Sequence, residues 1–254
     1  MAPDIKPLIS VLCLTKDRPE WLPRSVELFL EQDYSRKEII ILDQSAPAKR
    51  TILPADPRIR HFFFDREARV HDRNSRGILE AQGEILCYWD DDDYFHPERL
   101  SLQAQPIAEG KASMTGIPLA AGLTVTLPGP RWWQIQRVIR GPQKLSNPVH
   151  GPRPDKPRIP FSDATALFRR PRIHGKNDPI LGLAKIPFLQ EVLVQDNRPL
   201  PILIPHLYVY VRHGRNSFKH DESWKYENRP APEWIPAAQL AFWNTVPWRS
   251  ECDV

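Results

Sequence analysis

Apolar residues in the first hundred positions concentrate in short runs: Leu8–Leu14, Ile39–Leu42, Ile59–Phe64 and Ile85–Trp89. Runs of this length, bounded by turn-forming residues, predict strands buried on both faces. Between them the pattern turns helical. Asp17 stands as an N-cap with Pro19 in the first turn and Val26, Phe29 and Leu30 on one face. After the polar stretch Asp65–Arg76, a short helix is expected around Ile78–Gln82, stopped by Gly83, and Pro97 opens another through Glu98, Leu100, Leu102 and Gln105. Buried strands separated by helices imply an α/β fold with a doubly wound, mostly parallel sheet, whose ligands sit at the carboxyl ends of the strands.

Beyond residue 110 the texture changes. Eight prolines lie between Pro128 and Pro160, around the pair Trp132-Trp133, which predicts a long irregular surface segment. Ala164–Phe168 reads as a short strand, Ile186–Val194 as a helix carrying Glu191, and Ile202–Val211 as one or two strands. Trp234, Leu240, Phe242 and Trp243 suit a packed C-terminal helix. The expected organisation is one domain in three parts: residues 1–110, 111–218 and a tail over 219–254.

Charge refines this outline only locally. Lys plus Arg number 35 against 31 Asp plus Glu, a net +4, milder than a dedicated nucleic-acid binder shows. Seven basic residues and one acid fall between Arg131 and Arg158, a stretch that would attract an anionic partner or balance acids elsewhere. Cys13, Cys87 and Cys252 are unpatterned and read as reduced thiols. With no signal-peptide pattern after Met1 and no apolar run near the ~20 residues of a membrane span, a cytoplasmic protein is expected.

Asp90-Asp91-Asp92-Asp93, directly behind a buried strand, is the most informative feature. Like charges about 4 Å apart repel by roughly 1 kcal/mol in water and about 4 kcal/mol at a protein surface, so four acids at one strand end need compensation. A divalent cation supplies it, and oxygen ligands with no nearby Cys or His pair favour Mg²⁺ or Mn²⁺. A solvated acidic loop is the plain alternative.

Three blocks at successive strand ends carry a resemblance. They are Thr15 with Arg18-Pro19, Asp43 with Ser45, and Gly77-Ile78, Ala81, Gly83-Glu84-Ile85, Trp89, Asp90–Asp93, Pro97 and Leu100. In this order they resemble the family-2 glycosyltransferases, with the GT-A fold, over residues 7–106 and more loosely over 160–218. The resemblance implies a nucleotide-sugar donor across the strand ends, a UDP-sugar favoured. Thr15, Arg18 and Asp43 would hold nucleobase and ribose, Arg73 would lie near base and diphosphate, and Asp90 and Asp92 would fill the Asp-X-Asp positions. Asp92 is then the direct metal ligand, with Asp91 on the donor side. Arg73-Asn74 is displaced by one residue from the family's Arg-Asn, which brings in Arg76 as a substitute.

The reaction implied is an inverting transfer to an acceptor hydroxyl. The family's base lies on a later helix, commonly the second acid of a Glu-Asp pair; here Gln190-Glu191 occupies that place, which makes Glu191 the candidate and Asp163, Asp178 and Asp196 reserves. His213, in the turn at Arg212-His213, is either a structural histidine or, as the resemblance implies, one with a metal or phosphate role. Trp132 and Trp133 offer a stacking platform for an acceptor or a plug for the loop. The acceptor stays open among glycan, metabolite, protein, lipid-linked glycan and a modified nucleic-acid base. Two other classes compete: a sugar nucleotidyltransferase, although Thr15–Arg18 lacks the glycines of a phosphate loop, and a non-catalytic nucleotide-sugar binder, which the absent Glu-Asp pair keeps open.

Overall fold

The computed structural model describes residues 6–118, 121–127, 130–138, 161–213 and 224–246. The chain runs β1 (Ile9–Thr15), α1 (Leu22–Leu30), β2 (Lys37–Asp43), β3 (Ile59–Phe63), α2 (Val70–Glu80), β4 (Ile85–Asp90), β5 (Tyr94–Phe95) and α3 (Arg99–Ala108). It continues through β6 (Met114–Gly116), β7 (Leu123–Thr126), β8 (Arg131–Val138), β9 (Leu167–Arg169), α4 (Lys185–Gln195), β10 (Pro199–Pro201), β11 (Tyr208–Arg212), β12 (Trp224–Arg229) and α5 (Ala237–Thr245).

Seven strands form the main sheet in the order β10-β6-β9-β4-β1-β2-β3. The β3-β2-β1-β4 half is parallel throughout, while β9 runs antiparallel to both β4 and β6. Side chains alternate between its faces. Ile9, Val11, Cys13, Ile39, Ile41, Ile85, Cys87 and Trp89 enter one core with α1, α3 and α5. Leu12, Ile40, Leu42, Leu86 and Tyr88 enter the other, with Ile78 of α2 and Phe188, Leu189, Val192 and Leu193 of α4. Burial on both faces is why these strands are apolar over most of their length. At Gly77 of α2 a Cβ would stand 2.6 Å from Leu42 Cδ1, so the absence of a side chain lets helix and sheet approach closely.

Of a second sheet, β12-β8-β7-β11-β5, only β11 has a counterpart in the sequence pattern, the strand-like run Ile202–Val211. It meets the first where β4 leads through the acidic run into β5, which pairs antiparallel with β11. Part of the proline-rich segment expected to be irregular is β8, paired with β7 and β12. Cross-strand partners supply order there that periodicity does not reveal.

Two local expectations change. Asp17 does not cap α1, which begins at Leu22 with Pro23 in its first turn and no side-chain cap. The second helix starts at Val70, inside the stretch read as polar, because only Arg73, Asn74, Gly77 and Ile78 are buried and two of these are polar. Cys13 and Cys87 are buried free thiols; Cys252 lies outside the described residues. No described helix is long and apolar enough to cross a membrane.

Candidate active site

β1, β2 and β4 end side by side: Thr15 is in register with Asp43, and Leu14 with Asp90. Past β1 the chain must turn sharply, and Asp17 does so at φ 52°, a left-handed conformation that Asp tolerates better than most residues. Its amide donates to Ser45 Oγ at 2.8 Å and its carboxylate accepts from the Ala46 amide at 2.9 Å, tying the β1 loop to the β2 loop.

Arg18, the next residue, lies over the acidic run. Its Nη1 donates to Asp91 Oδ1 at 2.6 Å and to Asp92 Oδ2 at 2.7 Å. Thr15 Oγ1 donates to the other Asp91 oxygen at 2.5 Å. Asp91 is only 2% exposed. Burial pushes its carboxyl up to about 6 against the pull of Arg18. On Asp92 burial also pushes upward, but Arg18 and the His213 hydrogen bond outweigh it, leaving the carboxyl below its usual range. Burial opposes the Arg18 charge too, yet Asp91 and Asp92 hold the guanidinium above its ordinary range.

The second sheet supplies the opposite wall. His213, just past β11, stands with Nε2 3.0 Å from Asp92 Oδ2. Its ring stacks on Trp21 at 4.6 Å between centroids, and Trp21 in turn meets the edge of Phe242 from α5. Asp93 accepts from Tyr208 Oη at 2.7 Å and from the Val211 amide at 2.9 Å. Burial, then the Asp92 and Asp90 charges, push its carboxyl well above the usual range. From the other side, Lys185 at the start of α4 ion-pairs with Asp90. Burial works against the lysine charge but Asp90 and Asp163 more than restore it.

Asp43 is buried, with Oδ1 accepting from the Ser45 amide at 2.7 Å and Oδ2 lying 3.0 Å from His61 Nε2. Burial would raise its carboxyl, but the His61 and Ser45 hydrogen bonds keep it lowered. His61 packs on Phe63, and Arg50 lies 4.2 Å over that ring. Arg73 reaches the site from α2, 7% exposed, with Nη1 donating to the Thr15 carbonyl at 3.2 Å and a buried Nε without a partner. Arg76 is turned away, paired with Glu80 at 2.8 Å and half exposed, so of the two arginines only Arg73 lies with Thr15.

Trp132 is 5% exposed and meets Trp243 edge-on at 5.6 Å, so its ring serves the core and not an open platform. Trp133 lies on β8 opposite Thr124 in the backbone register. Most of the basic segment lies outside the described residues. Glu191 is half-buried on α4, six residues beyond Lys185 and so about 9 Å along the axis. Among the reserve carboxylates, Asp178 caps its own turn by accepting from the Ile180 and His174 amides. Asp196 pairs with Arg198. Asp163 differs: burial pushes it upward, with Lys185 opposing and Asp90 reinforcing.

The donor set suits a hard divalent ion. Asp90, Asp92 and Asp93 present oxygens within 4.8 Å of one another. Both Asp93 oxygens already serve the second sheet. Asp90 and Asp92, whose Oδ2 also meets Arg18 and His213, are therefore the better placed ligands, and on the Thr15 side the orphaned Arg73 Nε is a donor for an anion.

A family model for glycosyl transferase family 2 matches residues 10–170. The chain belongs to glycosyl transferase family 2. Among its curated relatives, WcaA of Escherichia coli K12 is named provisionally as a colanic acid biosynthesis glycosyl transferase and is 34% identical over 38% of this chain. A Campylobacter jejuni GalNAc(5)-diNAcBac-PP-undecaprenol beta-1,3-glucosyltransferase is 28% identical over 43% of this chain. The chain spans little more than a third of these relatives, 36% of WcaA and 38% of the Campylobacter protein. The crystal structure of S. aureus TarS 1-349 in complex with UDP superimposes with a TM-score of 0.52 at 14% identity, covering 81% of this chain and 61% of that one. The fold of this family 2 chain is GT-A.

Several residues of the site carried no sequence signal. Lys185 is one lysine in an apolar run, His61 one histidine in an edge strand, and Trp21 one aromatic at a helix start. Arg99 is fully buried beneath the acidic run, its Nη2 donating to the Tyr88 carbonyl at 2.9 Å and its guanidinium 4.0 Å over the Phe95 ring. Only the contacts identify them.

Proposed function

We propose that the chain is a metal-dependent, inverting glycosyltransferase that moves a sugar from a nucleotide-diphosphate sugar to an acceptor hydroxyl. The observation that carries this is the bridge from Arg18 to both Asp91 and Asp92 at the ends of β1 and β4, with Thr15 and Asp43 in register beside it. In this reading Asp43, Thr15 and Arg18 orient the nucleoside, Arg73 lies near base and diphosphate, and Asp92 with His213 and Asp90 would hold Mn²⁺ or Mg²⁺. When bound, the ion stabilises negative charge on the departing diphosphate as a Lewis acid. A UDP-linked donor is the first to try, since TarS is recorded with UDP. Residues 1–110 would form the donor half, 111–218 the acceptor half and 219–254 the tail.

An acceptor hydroxyl is a poor nucleophile near neutral pH, so a carboxylate within hydrogen-bond reach should take its proton during attack. Glu191 and Asp163 are the two candidates on the α4 side. Glu191 is the first candidate, from its place on α4, and Asp163 the second.

The test is donor turnover with Mn²⁺ across UDP-, GDP- and TDP-sugars. Release of nucleoside diphosphate supports transfer. Release of pyrophosphate from a nucleoside triphosphate would mean nucleotidyl transfer, and binding without turnover would mean a non-catalytic binder. Glycan, metabolite and modified-base acceptors are then compared; retention on DNA that falls with salt would support nucleic acid.

A further inference from the structure

We propose that His96, Glu98 and His206 form a second metal site, suited to Zn²⁺, on the outer side of the junction between the two sheets and separate from the acidic run. His206 Nε2 lies 3.2 Å from Glu98 Oε2, and His96 Nδ1 lies 3.6 Å from the same oxygen. Three ligand atoms, one from each residue, lie within 4.8 Å of one another. Tetrahedral zinc at about 2.0–2.2 Å from nitrogen and oxygen places neighbouring ligand atoms about 3.4 Å apart. The two measured separations fall on either side of that value; at His96 Nδ1 an ion would displace the hydrogen bond from the Glu98 amide at 3.3 Å.

The surroundings favour a fixed geometry. The imidazoles meet edge to face at 4.7 Å, and Trp234 packs on both, at 6.4 Å from His96 and 6.1 Å from His206. The His96 amide donates to the Leu207 carbonyl at 3.2 Å, so the two stretches of backbone are joined beneath the rings. Burial and the neighbouring His206 hold His96 below its ordinary range, the direction that leaves the ring neutral and able to ligate, while Glu98 and Asp33 act the other way. Glu98 is 52% exposed, which leaves a fourth position for water. Two nitrogens and one carboxylate oxygen with an open position differ in kind from the all-oxygen set of Asp90, Asp92 and Asp93. An ion here would clamp the start of α3 to the turn that enters β11, the strand whose Tyr208 and Val211 hold Asp93.

The test uses the full chain, free of any affinity tag, stripped with EDTA and exchanged into chelator-free buffer. Zn²⁺ binding is measured by equilibrium dialysis and by the shift in melting temperature, and Co²⁺ is added separately to read coordination from its visible bands. Wild type, Asp92→Ala, His206→Ala and Glu98→Gln are compared, the last because its exposed side chain makes misfolding improbable. We expect one Zn²⁺ per chain in wild type and in Asp92→Ala, with tetrahedral Co²⁺ bands. Affinity should fall roughly tenfold or more in both other variants, at least what loss of an outer partner causes at known metal sites, and the zinc-induced stabilisation should vanish. Equal binding in wild type, His206→Ala and Glu98→Gln would overturn the site. So would binding abolished by Asp92→Ala alone, or no Zn²⁺ bound beyond an adventitious background.

Discussion

Arg18 Nη1 stands 2.6 Å from Asp91 Oδ1, a contact between a loop after the first strand and a turn after the fourth, with both groups largely withdrawn from water. Removing the guanidinium leaves two buried carboxylates without their shared cation, held by Thr15 and His213. Arg18→Ala is expected to lose about 3–5 kcal/mol of stability, the range for breaking one partner out of a buried pair. Chemical denaturation checks it, and a loss below 1 kcal/mol would mean that His213 and Lys185 suffice.

Asp92→Ala should keep the fold, since Asp92 meets cations and not core, and lose activity on the order of 10²–10³-fold, the scale for removing one group aimed at developing charge. EDTA should abolish turnover in wild type and Mn²⁺ or Mg²⁺ should restore it. Melting temperature alongside initial rates separates a folding defect from a catalytic one, and an active Asp92→Ala sinks the metal assignment.

Asp163→Asn and Glu191→Gln distinguish the two base candidates. The true base should lose about 10²–10⁴-fold in kcat with little change in donor affinity. The other should stay within a few-fold of wild type. If both remain active, the proton goes elsewhere.

His61→Ala frees one oxygen of buried Asp43 from its partner. We expect weaker nucleotide binding by about 1–3 kcal/mol, through a mis-set or protonated carboxylate, with kcat at saturation nearly unchanged. Isothermal titration with nucleoside diphosphates measures this directly.

Lys37 gives a pH dependence of stability. Its amine is buried and donates to the Leu30 and Gln32 carbonyls. Burial, assisted by Arg58, lowers its pKa to about 8. The unfolded chain therefore binds more protons between about pH 8 and the ordinary lysine value near 10.4, and stability rises with pH across that window. The penalty is complete below pH 8. Denaturant midpoints at pH 7.5 and 9.5 should differ in wild type and converge in Lys37→Met.

The parallel half of the sheet was legible because Val11 faces one core and Ile40 and Leu86 the other, which leaves runs that are mostly apolar. The acids were legible because no packing argument asks for four in a row. The α2 start was not, since two of its four inward residues, Arg73 and Asn74, are polar and serve the site instead of the core. Asp17 looked like a cap because its chemistry suits one, yet the same carboxylate accepts from the Ala46 amide across the strand ends. The second sheet pairs strands far apart in sequence, as β11 with β5 and β7, and no local period records such partners.

That distance has a consequence for synthesis. Asp90 waits 95 residues for Lys185, Asp93 waits 115 for Tyr208, and Asp92 waits 121 for His213. As the chain leaves the ribosome, N-terminal elements assemble first. A nascent chain holding only the first half would leave the acidic run at the end of β4 without Lys185, Tyr208 and His213, relieved by Arg18, Arg73 and Arg99. The centre is thus completed only once α4 and β11 have emerged, so chains cut before them should be inactive however well their first half has folded.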